Sequence, residues 1–305
     1  MESVNVIRFA RMPLSLLSTI GNLIVLIIVL RYPILRRNSS NMLIAQLCLA
    51  DFAYSVGLLI RITNTEINFA NNNTVFRRAD CLFVGICAVL GIHLIQTTIP
   101  MVAIDRLSCL LFPVGYRRLN NRVEYSILRF VPSAVYTLIS TSAEFIGFPP
   151  HGTTTVCSSG SSWNKHYRFY FAIFSTSSAS LTCAVFLATL FVYWHRMAHE
   201  KKRVTDSVIL TTTAILTAYV IFWCTPTLIY LYCYIFDVRV QNLGPLVFVV
   251  SLGNSVFTLL NPVLFLWKHS EFRTYFFRFF GCTKFAQRNQ IVARTKQILP
   301  MNSSL

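Results

Sequence analysis

Apolar runs of membrane-spanning length recur along the chain, and they constrain its fold more than any other feature. Seven such runs cover residues 12–30, 42–60, 81–104, 127–148, 169–194, 208–236 and 245–267. Each is near or above the roughly 20 residues that a helix needs to cross a bilayer. Charged residues make up only 12% of the chain, and its mean hydropathy is +0.57, whereas about a quarter of the residues of a soluble domain are charged. The sequence therefore predicts an all-α fold, a bundle of seven transmembrane helices.

The runs divide the chain into four predicted parts. Residues 1–11 form a short extracellular segment, residues 12–267 the seven-transmembrane bundle, and residues 268–282 a short amphipathic helix on the cytoplasmic membrane surface. In this last helix the apolar side chains recur at i, i+3, i+4, i+7 and i+8, which is the period of one helix face; they are Phe272, Tyr275, Phe276, Phe279 and Phe280. Residues 283–305 are polar and lack turn or helix signals, so a disordered cytoplasmic tail is predicted.

The formal net charge of +16 suggests nucleic-acid binding, but the distribution of the charge argues against it. When the loops between the runs are assigned alternately to the two sides of a membrane, most of the 27 basic residues fall on one side. The positive-inside rule then places the N-terminus outside and the C-terminus in the cytosol of a multi-pass plasma-membrane protein. The basic residues face anionic membrane lipid, and no nucleic acid is expected as a partner.

Four residues outside the interiors of the apolar runs are candidates for covalent modification. Cys81 and Cys157 both lie on the oxidising side, which favours a disulfide between them over two free thiols. Asn72 begins an Asn-Asn-Thr sequon in the first outer loop, on the correct side for a glycan. Cys282, just beyond the amphipathic helix, is a candidate for palmitoylation.

Asp51 lies close to the midpoint of the second run, where a lone carboxylate is unfavourable unless it is neutralised or paired. Two interpretations stay open. In the first, Asp51 is protonated and hydrogen-bonded to Asn22 and Asn261 in an intramembrane polar network. In the second, Asp51 is an ion-sensitive relay.

Asp105 and Arg106 end the long apolar run of span three, and charged residues at such a boundary are predicted to have a function. Arg106 is always charged and needs an acidic partner at the inner end of its helix. Asp105 is adjacent, and Asp206 at the inner start of span six is a second candidate. An Arg106–Asp206 pair would tie the two helices together, and breaking it would open a cytoplasmic cleft. The alternative is that Arg106 only reaches toward the headgroups and Asp206 caps its helix.

Two prolines lie inside the last two runs. Pro226 in span six and Pro262 in span seven each remove a helical hydrogen bond and are expected to bend their helices. Through such bends a change at the outer side would move the inner ends. Simple helix packing explains the two prolines equally well, because kinks of this kind are common in membrane helices.

These residues together resemble the rhodopsin-like G-protein-coupled receptors over essentially the whole chain. The resemblance is an ordered set of motifs: Gly21-Asn22, Leu49-Ala50-Asp51, Cys81, Asp105-Arg106, Cys157, Pro226 and Asn261-Pro262. The chain is most similar to the nematode serpentine chemoreceptor group SX (Srsx), through RRADC at 77–81, DRLSCLLFPVGYRRL at 105–119 and LWKHSEFR at 266–273. The resemblance implies a chemosensory receptor in which Arg106 forms an ionic lock and ligand binding activates a heterotrimeric G protein.

The sequence departs from the family pattern at several motif positions. Leu107 follows Arg106 where a tyrosine is expected, and Trp223 lies one place earlier than in the common pattern. Ile95 and Phe257 stand where the wider family has polar sodium ligands. We therefore do not expect bound sodium.

The candidate ligand pocket includes Arg61, Ala88, Ile92 and His93. Counting by helical turns from Arg106 places Ile92 and Ala88 on one face of span three. Amine receptors of the family carry an acid where this chain has Ala88, so a biogenic amine is not expected. His93 is a lone imidazole, which more often packs than binds ligand. Basic residues such as Arg61 outnumber acidic residues near the outer mouth, which favours an acidic small molecule or a peptide carboxylate.

Transport and catalysis are the competing functions. A membrane transporter or channel needs a polar pathway, yet the acidic residues within the spans, Asp51 and Glu144, lie on different helices at different depths. An enzyme needs reactive groups, and the chain contains no phosphate-binding glycine loop, HExxH zinc motif or set of nucleophile, base and acid. The sequence thus predicts a receptor without catalytic activity, cofactor or metal, with a transporter or channel as the alternative.

Overall fold

The computed structural model describes residues 2–120, 122–148, 151–154, 157–199, 207–236, 240–268 and 270–282, which are almost entirely helical. The long helices are α1 Glu2–Arg31, α3 Ser39–Ala70, α4 Arg78–Leu111, α6 Val123–Ala143, α8 Lys165–His199 and α11 Val240–Lys268. The shorter ones are α2 Pro33–Arg36, α5 Pro113–Asn120, α7 Ser159–Ser162, α9 Ser207–Tyr219, α10 Thr225–Ile235 and α12 Ser270–Phe279. A π-helical turn, Val220–Cys224, joins α9 to α10. Two short strands, β1 Phe76–Arg77 and β2 Thr153–Thr154, pair antiparallel.

The predicted apolar runs lie mostly within helices, although the run 127–148 extends five residues beyond the end of α6. The all-α prediction is confirmed. Five stretches are long and apolar enough to cross a membrane: Ala10–Arg31, Ser39–Ala70, Arg78–Leu111, Lys165–His195 and Val249–Trp267. Thr213–Ile229 is apolar but shorter, and α6 is less apolar because Glu124, Arg129 and several hydroxyl side chains interrupt it. Large apolar side chains point away from the bundle, among them Phe191 at 73% exposure, as expected for a surface that faces lipid.

Helix α4 lies at the centre of the bundle and packs against α3, α6, α7, α8 and α9. Its contact with α3 is close because glycine stands on both helices. A Cβ at Gly57 would lie 2.1 Å from the backbone nitrogen of Ala88, and one at Gly91 would lie 2.3 Å from that of Tyr54. Small residues are what bring membrane helices this near to each other. The close packing of α4 against α3 therefore depends on Gly57 and Gly91.

One end of the bundle carries the strands and the disulfide, and we call it the disulfide end. Phe76 pairs with Thr154 across the two strands. Cys81, in the first turn of α4, is bonded to Cys157 with a Cα–Cα distance of 5.4 Å. The predicted disulfide is confirmed. It fixes the segment before α7 over the start of α4.

The opposite end carries Asp105 near the end of α4, and we call it the Asp105 end. Helices α2 and α5 and the amphipathic helix α12 lie there. In α12, Phe272 is fully buried against the bundle core, and the ring centroids of Tyr275 and Tyr32 are 4.6 Å apart. The apolar face predicted from the helical spacing thus packs partly against α1 and α11. The predicted tail of residues 283–305 lies outside the described residues.

The π-helical turn ends at Cys224, two residues before Pro226. Proline has no N–H to donate to the carbonyl four residues earlier, and a π-helical turn pairs residues five apart instead. Here the Thr225 N–H is directed to the carbonyl oxygen of Val220, and Thr225 Oγ1 donates to the same oxygen at 2.9 Å. The sequence predicts a bend at Pro226, and the structure places this irregular turn there.

Candidate functional site

A cavity of about 150 Å³ lies between the helices near the disulfide end. Its wall combines residues of α3, α4, α7, α8, α10 and α11 with the π-helical turn. Its wall contains four aromatic side chains, those of Tyr54, Trp163, Phe171 and Trp223. A mostly apolar cavity with a few polar groups is the usual form of a small-molecule site.

The charged part of the cavity wall is positive. Arg61 of α3 and Arg168 of α8 both line the cavity, and no acidic residue is among its described lining. Arg168 Nη2 donates to the carbonyl oxygen of Trp163 at 3.2 Å. Glu144 and Tyr54 interact electrostatically with the guanidinium of Arg61. Two cationic side chains in an apolar wall favour an anionic group in the cavity.

Trp163 is held in the wall by Glu144, which directly follows α6, and by two aromatic side chains of α8. Its Nε1 donates to Glu144 Oε2 at 3.0 Å, and its ring lies against Tyr167 and Phe171 at centroid distances of 5.0 and 4.7 Å. The preceding helix α7 begins with a reciprocal cap between Ser158 and Ser161. Because Cys157 directly precedes that cap, the disulfide also positions this side of the cavity.

The four expected pocket residues divide into two pairs. Arg61 and Ile92 line the cavity. Ala88 and His93 do not line it: Ala88 is fully buried at the contact with Gly57. His93 Nε2 lies 2.9 Å from Tyr167 Oη and 3.1 Å from Ser140 Oγ. His93 therefore joins α4 to α6 and α8 through hydrogen bonds, which agrees with the expectation that it packs.

An aromatic cluster lies on the side of the cavity toward the Asp105 end. The ring of Trp223 is 5.7 Å from Tyr54, 6.3 Å from Tyr219 and 5.8 Å from Phe257. Trp223 is 3% exposed and lines the cavity. It belongs to the π-helical turn, so the same residue contacts the cavity and the irregular segment before Pro226.

The Asp51 region lies deeper in the bundle, between α1, α3 and α11. Asn261 Nδ2 donates to Asp51 Oδ2 at 2.7 Å. Asp51 Oδ1 is buried without a hydrogen-bond partner among the described residues. Asn22 Nδ2 donates instead to the carbonyl oxygens of Ser18 at 2.9 Å and Thr258 at 3.0 Å. The expected network of Asn22, Asp51 and Asn261 is thus two separate sets of hydrogen bonds.

A second buried carboxylate, Asp105, lies at the centre of an ionic cluster. Its closest cation is Arg129 of α6, with Nη2 2.6 Å from Asp105 Oδ1. Arg106 Nη2 lies 3.5 Å from Asp105 Oδ2. Tyr116 Oη donates to the carboxylate at 2.9 and 3.0 Å, and Ser40 Oγ donates at 3.2 Å. We call these five residues the Asp105 cluster.

Helix α5 brings Tyr116 to this cluster because its end is fixed on the start of α3. Asn120 Oδ1 accepts from the Ser40 N–H at 3.0 Å, and Asn120 Nδ2 donates to Asn38 Oδ1 at 2.9 Å. Asn38 is also the N-cap of α3, since its side chain accepts from the same N–H of Ser40. Asn120 of α5 and Asn38 at the start of α3 therefore set the position of Tyr116.

Sequence reasoning missed Arg129 as the principal partner of Asp105. A signal was present, because Arg129 is a charged residue within the apolar run 127–148 and such a charge needs a partner. The sequence did not say which partner, since Asp105 lies on another helix. The other expected partner of Arg106, Asp206, lies outside the described residues.

Three further expected residues can be placed. Pro262 lies inside α11 beside Gly21 of α1. Asn72 is exposed at the disulfide end and has a φ of 59°, a left-handed conformation in which asparagine is enriched. Cys282 is exposed one residue beyond the turn that follows α12. Among the described residues no cluster of three or more His, Cys, Asp or Glu side chains could hold a metal ion.

The family described as serpentine type 7TM GPCR chemoreceptor Srsx matches residues 15–280 of the chain. This range includes both buried aspartates, the cavity and α12. The chain belongs to the Srsx family. It is therefore a multi-pass membrane protein of the seven-transmembrane chemoreceptor class, and the resemblance seen in the sequence is confirmed. No curated protein matches the chain.

In this Srsx protein helix α4 contributes to both the cavity and the Asp105 cluster. Ile92 lines the cavity, and Asp105 lies further along the same helix α4. At 1.5 Å per residue the two positions are about 20 Å apart along the helix axis. The cavity and the Asp105 cluster therefore lie along the same helix, and Pro100 stands between them.

Proposed function

We propose that this chain is a chemosensory receptor that converts binding of an extracellular ligand into activation of a heterotrimeric G protein. The ligand is a small organic acid or a peptide carboxylate. The observation that carries this proposal is the cavity near the disulfide end, whose wall contains two guanidiniums and four aromatic side chains. Receptor activity needs such a site on the side that meets the ligand and a second, movable site on the other.

Orientation is the first part of the proposal. The disulfide end faces outside the plasma membrane, where a disulfide persists and where Asn72 is open to glycosylation. The Asp105 end faces the cytosol, because exposed Arg31, Arg36, Arg37 and Arg118 lie there and basic residues favour that side. Cys282 is then on the cytoplasmic side, where palmitoylation takes place.

Binding of the ligand is the second part. Its carboxylate pairs with Arg61 and Arg168, and its apolar part lies against Trp163 and Trp223. Arginine suits this role because its planar guanidinium matches a carboxylate with two parallel hydrogen bonds. Glu144, hydrogen-bonded to Trp163 behind the wall, keeps Arg61 electrostatically balanced before the ligand arrives.

The switch is the third part. A ligand that moves Trp223 also moves the π-helical turn and Pro226, and thereby the opposite end of α9. Asp206 directly precedes α9 in the sequence, so a pair between Asp206 and Arg106 would be sensitive to that movement. Separation of the pair opens the cleft that a G protein enters. Asp105, the preceding residue of α4, lies 3.5 Å from the guanidinium of Arg106.

A screen in cells tests the proposal. Cells that express the full chain and reporters for several G-protein classes are exposed to small carboxylic acids, to peptides with free C-termini, and to the amides of both. We expect a carboxylic acid or a peptide carboxylate to activate a reporter and its amide to be much weaker. Equal potency of acid and amide would contradict the ligand assignment.

Variants of the cavity sharpen this test. Arg168→Gln should weaken the response to an active acid by about tenfold or more, because a hydrogen bond to a charged group contributes roughly 1.5–3 kcal/mol. Lys165→Gln is the matched control, since Lys165 is exposed on the first turn of the same helix and does not line the cavity. Ionic currents in bilayers that contain only the purified protein, without any reporter response, would favour a transporter or channel instead.

A further inference from the structure

A groove of about 610 Å³ lies at the Asp105 end, between α1, α2, α3 and α6. Its volume is typical of small-molecule sites, which range over roughly 300–1,000 Å³. Along α3 it extends from Ser39 to Leu49, which is about 15 Å at the helical rise. Leu30 and Ile127 in its wall are 50% and 55% exposed, so the groove opens on the lipid-facing side of the bundle.

The end of the groove nearest the membrane boundary is cationic. Arg36, Arg37 and Arg129 line it, and no acidic residue is among its described lining. Arg36 and Arg37 are exposed. Arg129 is already paired with Asp105 at 2.6 Å and donates to Ser39 Oγ at 3.4 Å. Among the described residues no acidic side chain forms an ion pair with Arg36 or Arg37, so these two guanidiniums are the ones that an anionic group in the groove would meet.

The remainder of the groove is apolar. Leu26, Met42, Phe130 and Val131 form its wall. The amide of Gln46, deeper in the groove, is engaged, since Nε2 donates to Thr98 Oγ1 at 2.9 Å. A long apolar channel with two guanidiniums at one end is complementary to an amphiphile with an anionic head. A soluble anion would leave the apolar wall uncovered.

We propose that the groove binds an anionic phospholipid of the surrounding leaflet. The phosphate lies between Arg36 and Arg37, and one acyl chain lies along α3 and α6 against Met42 and Phe130. Because Arg129 lines the groove and also pairs with Asp105, a bound lipid lies beside the Asp105 cluster. The proposed orientation makes this leaflet the cytoplasmic one. Binding of the lipid to the groove does not depend on that orientation.

Native mass spectrometry of the full chain in detergent micelles tests this proposal. The protein is titrated with phosphatidylglycerol, with phosphatidylcholine of the same acyl chains, and with glycerol 3-phosphate. The first phosphatidylglycerol should bind roughly 25-fold more tightly than the first phosphatidylcholine, about fivefold for each guanidinium. Glycerol 3-phosphate should not displace it at equal concentration, because it lacks the acyl chains.

Three variants separate the groove from the general basic surface. Arg36→Gln combined with Arg37→Gln should reduce the preference for phosphatidylglycerol to near unity. Arg31→Gln combined with Arg118→Gln removes the same charge from the same end outside the groove lining and should keep the preference. Met42→Trp fills the apolar part without a change of charge and should weaken both phospholipids alike.

The proposal is overturned by any of four results. These are equal binding of the two phospholipids to the wild-type chain, equal loss in the two double variants, full displacement by glycerol 3-phosphate, and an unchanged first binding step in Met42→Trp. A lipid-free dimer that excludes phosphatidylglycerol would assign the groove to a second copy of the chain. None of these readouts depends on a ligand of the cavity or on a G protein, so the test is independent of the proposed receptor activity.

Discussion

Asp51 and Asp105 are both fully buried carboxylates of one helix bundle, yet their surroundings differ. Asp105 has two arginines within 3.5 Å and accepts hydrogen bonds from the hydroxyls of Tyr116 and Ser40. Asp51 accepts one hydrogen bond, from Asn261. Its second oxygen has no hydrogen-bond partner among the described residues.

This difference shows that burial alone does not tell the role of an acidic residue. A buried charge is tolerated when opposite charges and hydrogen bonds surround it, and Asp105 meets that condition. The Asp105 cluster connects α3, α4, α5 and α6 through one carboxylate. Asp51 connects only α3 to α11, through a group that suits a neutral side chain as well as a charged one.

Replacing each aspartate by asparagine should give the largest difference in stability between the two sites. Asp105→Asn leaves the guanidinium of Arg129, whose side chain is only 11% exposed, without its anionic partner, and we expect a loss of about 3–5 kcal/mol in the free energy of unfolding. Asp51→Asn keeps an acceptor for Asn261 and should change the free energy by about 1 kcal/mol or less. Unfolding of both variants in mixed detergent micelles measures this. A greater loss for Asp51→Asn would reverse our interpretation.

Double-mutant cycles would resolve the contacts within the Asp105 cluster. Asp105→Asn combined with Arg129→Gln should show a coupling energy of about 2–3 kcal/mol, because the two groups are 2.6 Å apart. Asp105→Asn combined with Arg106→Gln should show a coupling energy of about 1 kcal/mol, since the Arg106 guanidinium lies 3.5 Å from the Asp105 carboxylate. If the Arg106 cycle gave the larger value, Arg129 would not be the principal partner.

Alkaline titration should give the smallest effect. Burial, and then the charge of Asp105, raise the pKa of Tyr116 above the ordinary value for a tyrosine. The unfolded chain loses this proton near pH 10 while the folded chain keeps it, so the stabilisation is complete below pH 10 and is lost as the pH rises further. The unfolding free energy of the wild type should fall more steeply than that of Tyr116→Phe, by up to about 1.4 kcal/mol per pH unit. Parallel profiles above pH 10 would contradict this.

Local sequence was sufficient for much of the fold. Runs of about 20 apolar residues predict membrane helices, and the helical spacing of the five aromatic residues from Phe272 to Phe280 predicts α12. The disulfide between Cys81 and Cys157 followed from compartment and resemblance. These features need only the period of a helix, the thickness of a bilayer and the side of the membrane, none of which depends on how the helices pack.

The candidate sites were predicted only in part. Arg61 and Ile92 were expected in the pocket and line the cavity, whereas Trp163 and Arg168 enter it from a loop and helix whose approach the sequence did not reveal. Asn261 was named as a partner of Asp51. Asn22 was named too, but it bonds to Ser18 and Thr258 instead. Helical periodicity gives the face of a residue and not the neighbour that covers it.

By itself, the sequence determined that the chain is a helical membrane bundle, which residues are charged within apolar surroundings, and which family it resembles. Only the tertiary structure decided that Arg129 holds Asp105, that Tyr116 completes the cluster, and that Arg61 and Arg168 share one cavity. The physical reason is that burying a charge makes a partner necessary but does not choose it. That choice depends on which helices lie within hydrogen-bond distance, and close contacts such as Gly57 with Ala88 set those distances.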